Sequence, residues 1–166
     1  MKRILLIFLI FAGTITAHAQ DAKPTKEQTI QYLKNLLENS GYTEYNNCRH
    51  STEALTFSGC TLIIETLTNC HDGKYQNKTV YTVDFSQIEK VDGEGSVTKD
   101  FIRLTAKTNS KIIPKKYSRQ SGSDEHIVSN SLESEARIVV MFEKEKVTQA
   151  FNHLRKLCGG PEPIKF

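Results

Sequence analysis

EKEKVTQAFNHLRKLC, running from Glu143 to Cys158, is the stretch on which the fold turns. Its apolar residues Val147, Ala150, Phe151, Leu154, Leu157 and Cys158 recur at the i, i+3, i+4, i+7 spacing that gathers them into one stripe of a helix. Glu143 and Glu145 place negative charge at its start, where the peptide dipoles favour it. Gly159 and Gly160 then offer a left-handed cap, and Pro161 lacks a backbone donor, so the helix stops there. Immediately upstream, RIVVMFE from Arg137 puts Ile138, Val140 and Phe142 on one face, the pattern of a strand. A strand followed by a helix with one apolar face needs a surface elsewhere in the chain to receive that face.

The middle of the chain supplies it. From Tyr42 to Phe142, outside that last strand, the helical period is absent. TLIIETLT, Thr61 to Thr68, is rich in β-branched residues, and KTVYTVDFSQI, Lys78 to Ile88, alternates Tyr81, Val83 and Phe85 against Thr82 and Asp84. FIRLTAK from Phe101 sets Ile102, Leu104 and Ala106 on one face, while KIIPKKY from Lys111 carries Pro114, which suits an edge strand or a strand end. Turns are expected at Ser58-Gly59, His71-Asp72-Gly73 and Asp92-Gly93-Glu94-Gly95, and a long Ser-rich loop from Ser118 to Ser134. Short alternating strands joined by turns predict an antiparallel sheet. Near the start, Thr25-Lys26-Glu27-Gln28 fits a capping box, Ile30, Leu33, Leu36 and Leu37 form an apolar stripe, and Gly41 stands where a helix cap belongs. With helices only at the two ends, the class is α+β. The expected architecture is a curved antiparallel sheet or partly open barrel of about six or seven strands, closed by the C-terminal amphipathic helix and carrying an additional N-terminal helix.

The first residues have a different logic. Lys2 and Arg3 precede an apolar run from Ile4 to Ala12, and Ala17-His18-Ala19 presents small residues at the two positions a signal peptidase must accept. This predicts a signal peptide over 1–19, a flexible lead-in over 20–24, one α+β domain over 25–160 and a C-terminal tail over 161–166. Because a bilayer-spanning helix needs about 20 apolar residues, the run is too short for a membrane anchor. Removing 1–19 lowers the formal charge from 22 − 19 = +3 to 20 − 19 = +1. A nearly neutral domain with scattered charges has no electrostatic reason to bind nucleic acid or an anionic membrane.

TKEQTIQYLKNLL near the start, YTVDFSQIEKV in the middle and AFNHLRKLCGG at the end together resemble a group of small exported proteins from Bacteroides-type bacteria with a pleckstrin-homology-like fold. The resemblance spans most of the chain after residue 19. It implies a fold and a compartment, export to the periplasm or beyond, and no activity. Pleckstrin-homology domains that bind phosphoinositides use a basic loop between their first two strands; the equivalent here, Ser58-Gly59, carries no positive charge.

Cys48, Cys60, Cys70 and Cys158 are an even set, which in an exported protein favours disulfides. A fold-back at Ser58-Gly59-Cys60 that pairs Phe57 with Thr61 carries Cys48 opposite Cys70, at a separation of about 4.5–5.5 Å between β-carbons that a modest twist makes bridgeable. Cys60 shares its parity with Leu62 and Ile64, the inward face, and Cys158 lies on the apolar stripe of the last helix. The preferred pairing is therefore Cys48 with Cys70 and Cys60 with Cys158; the alternative leaves Cys60 and Cys158 as small buried apolar residues.

Reactive constellations are sparse. Cys48 and His50 with Cys70 and His71 have the ligand types zinc prefers, but no C-x-x-C spacing accompanies them. His153 lies five residues before Cys158, on a different helix face, and so makes a poor base for a thiol nucleophile. The nucleophile-elbow, phosphate-loop and H-E-x-x-H patterns are absent, and Asp92-Gly93-Glu94-Gly95 lacks the spaced ligands of a calcium loop. No catalytic residue, metal or cofactor is assigned. The reading that fits is an exported binding or scaffolding module for a protein or small ligand, acting through its sheet edge, its loops or the groove beside a helix. One alternative is a small periplasmic hydrolase with a dispersed site drawn from His50, His126 and Asp84; another is a lipid or small-ligand carrier with an apolar cavity in the sheet.

Overall fold

Thr25 and Gln28 cap the first helix reciprocally: Thr25 N donates to Gln28 Oε1 at 2.8 Å and Gln28 N donates to Thr25 Oγ1 at 3.2 Å. In the computed structural model, residues 23–37, 42–45, 47–70, 76–96, 99–121, 124–140 and 143–160 of the 166 are described. The expected signal peptide at 1–19, most of the lead-in at 20–24, the helix cap at Gly41, the turn at His71-Asp72-Gly73, Phe142 and the tail at 161–166 lie outside the described residues. Helix α1 spans Lys26–Leu37 and buries Thr29, Leu33 and Leu37, with Ile30 and Leu36 partly covered.

Nine strands follow: β1 Tyr42–Tyr45, β2 Cys48–Ser58, β3 Thr61–Cys70, β4 Gln76–Asp84, β5 Ile88–Ser96, β6 Lys99–Ala106, β7 Ile113–Ser121, β8 Asp124–Glu133 and β9 Glu135–Val139. They form two antiparallel sheets, one of six strands in the order β1-β2-β3-β4-β7-β8 and one of three in the order β5-β6-β9. The expectation of six or seven strands in one curved sheet or partly open barrel is thus corrected. Among the described residues no ladder joins the two sheets. One side chain does bridge them: Thr52 Oγ1 in β2 accepts from Val139 N in β9 at 3.0 Å.

Four local expectations need correcting, each for a physical reason. KTVYTVDFSQI is not one strand, because Asp84 Oδ1 accepts from Ser86 N at 2.9 Å and caps a single helical turn over Phe85–Gln87. A short carboxylate side chain competes with the ladder for backbone donors and ends the strand there. Asp92-Gly93-Glu94-Gly95 is no turn but the middle of β5. Gly93 is there because a Cβ would sit 2.9 Å from both Lys144 Cγ and Thr148 Oγ1 of the second helix, so the glycine permits close helix–strand approach. The Ser-rich stretch 118–134 is largely strand, the end of β7 and all of β8, and its mainly polar side chains, exposed from Val128 to Leu132, give no apolar alternation to read. Finally, the β2–β3 register begins one residue off the expected one, with Phe57 opposite Leu62, not Thr61. A bulge between Thr52 and Ala54 absorbs the extra residue and restores Cys48 opposite Cys70. Pro114, meanwhile, sits at the start of a strand with neighbours on both sides, past the last β4 partner of β7 at Lys115.

Helix α2, Lys144–Leu157, closes the molecule. Val147, Ala150, Phe151 and Leu154 are buried, and Phe151 stacks on Phe85 with ring centroids 5.7 Å apart. Full burial of one such aromatic side chain is worth about 1.5–3 kcal/mol. The receiving surface draws on both sheets and includes Leu62, Ile64, Val83, Ile102, Leu104, Ala106, Ile138 and Val140, all buried. Leu157 corrects the expected stripe: it lies on the border and is 43% exposed, whereas Arg155 is buried and its Nη1 donates to Glu89 O at 2.7 Å. The helix ends in paired bonds from Gly160 N to Arg155 O at 2.9 Å and from Gly159 N to Lys156 O at 3.1 Å, with Gly159 left-handed at φ 73°.

Candidate interaction surface

The six-stranded sheet reaches past the core it helps to build. On its inward face Leu62 and Ile64 of β3 are fully buried, but along the same strand Thr66, Thr68 and Cys70, of the same parity, are only half-buried. The ladders carry this change across the sheet. Thr66 pairs with Thr52 and Thr79, and Thr79 with Tyr117; Thr68 pairs with His50 and Asn77, Asn77 with Arg119, and Arg119 with His126. The far half of the sheet is therefore a polar platform, stitched by His50 Nδ1 to Thr68 Oγ1 at 3.0 Å and by Arg119 Nε donating to Asn77 Oδ1 at 3.4 Å. Tyr81 marks the border with the core, and burial pushes its hydroxyl above the ordinary tyrosine range.

The cysteines fasten both ends of this layout. Cys48 is bonded to Cys70 across β2 and β3 at the far end of the platform, and Cys60, in the β2–β3 turn, is bonded to Cys158 at the end of α2. No free cysteine is present among the described residues. Two disulfides suit an oxidising compartment outside the cytoplasm. They also take both sulfurs away from the zinc alternative at Cys48, His50, Cys70 and His71, of which His71 lies outside the described residues. No group of three or more metal-ligating side chains occurs among the described residues.

The dispersed residues weighed for a hydrolase stay dispersed. His50 and His126 stand in one row but on β2 and β8, four strands apart, which at about 4.8 Å per strand is roughly 19 Å. Asp84 pairs with Thr61 at the opposite end of the sheet, where its carboxylate already caps Ser86 N. His153 Nε2 lies 2.8 Å from Pro24 O, fixing the start of α1 against α2. No described helix is long and apolar enough to cross a membrane.

The described surface carries open depressions. One of about 590 Å³ lies between the helices, lined by Pro24, Tyr32, Lys146, Ala150 and His153 among others. Another, of about 620 Å³, lies on the outer face of β4, β7 and β8, lined by Val80, Thr82, Pro114, Lys116 and Leu132 among others. It borders β8, which falls within the Ser-rich stretch expected to be a loop. His126, Val128, Ser129, Asn130, Ser131 and Leu132 are all exposed there, with Val128 and Leu132 at 55% and 54%. The available signal was the run Ile127 to Leu132, free of charge, proline and glycine, between His126 and Glu133. Compared with known proteins, the chain matches no family model, no curated protein and no solved structure.

Proposed function

We propose that this chain is an exported, non-enzymatic binding module whose partner docks on the platform half of the six-stranded sheet. The observation that carries the reading is the position of the Cys48–Cys70 bond. It joins strands that are already paired, at the end where the sheet has left the core. A covalent bond there adds nothing to core packing and holds a half-buried polar surface in shape, which suits a surface used for recognition. The signal peptide expected over 1–19 agrees with the oxidising compartment that the two disulfides call for. Kinship with pleckstrin-homology-like domains belongs to the same proposal, supported by the antiparallel sheets closed by a C-terminal helix.

The test is affinity capture from periplasmic extract with the chain from Gln20 onward. A Thr68→Lys, Asn77→Lys variant alters the platform, and Gln149→Lys alters the exposed side of α2. The expected result is a captured component lost with the platform variant and kept with Gln149→Lys. Loss with Gln149→Lys alone, or no captured component, contradicts the reading.

A further inference from the structure

Four strands stand at sheet edges, and three of them are guarded. β1 is only four residues long, β5 lies against α2, and β9 is met by the Thr52 hydroxyl at Val139 N. β8 is ten residues long and, among the described residues, is paired only with β7; a register shift leaves Val128 as an extra residue between Ile127 and Ser129, and every side chain described along it from His126 to Leu132 is exposed. A strand paired on one side turns the N–H and C=O groups of every second residue outward, a template for another strand. Charge limits what can add. Asp124 and Glu125 open the strand and Glu133 ends it, with nothing charged from Ile127 to Leu132. A hydrogen bond from Ser131 Oγ at 2.9 Å is the chief cause that holds the Glu133 carboxyl below its ordinary range, and Lys115 Nζ at 3.5 Å adds to it. Full antiparallel pairing of two copies of β8 would set Asp124 opposite Glu133 at both ends, and like charges directly opposite destabilise a ladder. Lys116 and Arg119 belong to β7, one strand further back and about two strand spacings, roughly 9.6 Å, from an added chain.

Resting on the binding-module reading above, we propose that β8 accepts an extended segment of another protein as an added antiparallel strand, with an uncharged, β-branched middle and a basic residue at each end. Backbone bonds supply the affinity; Val128, Leu132 and the bordering depression take apolar side chains, and the terminal acids select basic ends. The probes are synthetic ten-residue peptides of alternating Val and Thr with two lysines at each end, the same peptide ended by glutamates, and the lysine peptide with a central proline. With the chain from Gln20 onward, the lysine peptide binds saturably and slows hydrogen exchange in β8. The glutamate and proline peptides bind at least about tenfold more weakly, and so does the lysine peptide to Val128→Lys or Leu132→Lys, both at exposed positions that leave the cooperative melt intact. Equal binding of the lysine and glutamate peptides, binding unaffected by both substitutions, protection elsewhere than β8, or no saturable binding overturns the proposal. So does a dimer with β8 already protected, which would make a second copy the occupant. Capture that still depends on Thr68 and Asn77 while the peptides fail removes the edge proposal and leaves the platform reading standing.

Discussion

Replacing Cys60 and Cys158 by serine removes the bond that closes a segment of 98 residues in sequence separation. If disulfides act mainly by restricting the unfolded chain, that loop contributes about 4.7 kcal/mol at room temperature, whereas the separation of 22 closed by Cys48–Cys70 contributes about 3.4 kcal/mol by the same relation. A domain of this size is held by only about 5–15 kcal/mol in all, so the first loss is a large part of the total. The assay is urea unfolding followed by far-ultraviolet circular dichroism on the chain from Gln20 onward and on the two serine pairs. With a slope of about 2 kcal/mol per molar urea, the midpoint falls by about 2.3 M without Cys60–Cys158 and by about 1.7 M without Cys48–Cys70. The order matters more than either value, because both estimates share the same approximation. A larger loss from the Cys48–Cys70 pair, or a shift below about 0.5 M from the other, would refute the loop-entropy reasoning, since it would mean that α2 stays near the β2–β3 turn in the unfolded chain.

Phe151→Ala leaves a cavity against Phe85 and is expected to cost about 3–5 kcal/mol in the same unfolding assay. Leu154→Asp puts a charge in the fully buried contact of α2 and should abolish the cooperative melt; a soluble, sharply melting variant would show that the helix does not pack as described. Gly93→Val, pressed against Lys144 and Thr148, should destabilise by about 1–3 kcal/mol and shift the amide signals of the first turn of α2 in a nuclear magnetic resonance spectrum. A group whose folded pKa is depressed gives stability that is present above the unfolded pKa and lost as pH falls through the folded one. Ser131→Ala should therefore raise the titration midpoint of Glu133, measured on its carboxyl carbon, and bring its share of that loss to higher pH.

Periodicity was legible wherever a face is buried. Val147, Phe151 and Leu154, or Ile102, Leu104 and Ala106, announce their elements because one side of each meets the core and the other does not. The same rule explains what was not legible. The described side chains of β8 from His126 to Leu132 are exposed, so its pattern is that of a polar loop, and its place at the sheet edge comes from backbone pairing with β7. Gly93 reads as a turn because sequence carries no sign that a helix lies above it. Arg155 follows Phe151 by four residues and so borders the apolar stripe, but its charge gives no sign that it is buried with its guanidinium on a β5 carbonyl. The candidate surface was legible least, since a platform is defined by where the core stops, and that depends on three-dimensional coverage more than on residue type.

The Cys60–Cys158 bond also orders events in time. A chain made from its N-terminus presents Cys48, Cys60 and Cys70 together, only 60 − 48 = 12 and 70 − 60 = 10 residues apart, long before Cys158 exists. Short loops close fastest, so Cys60 spends that interval beside two nearby and incorrect partners. If the β2–β3 ladder forms first, it removes both of them at once by joining Cys48 to Cys70, and leaves Cys60 as a lone thiol in the turn. Its oxidation then depends on the last residues of the fold, which makes the redox state of that one sulfur a clock for the completion of the molecule.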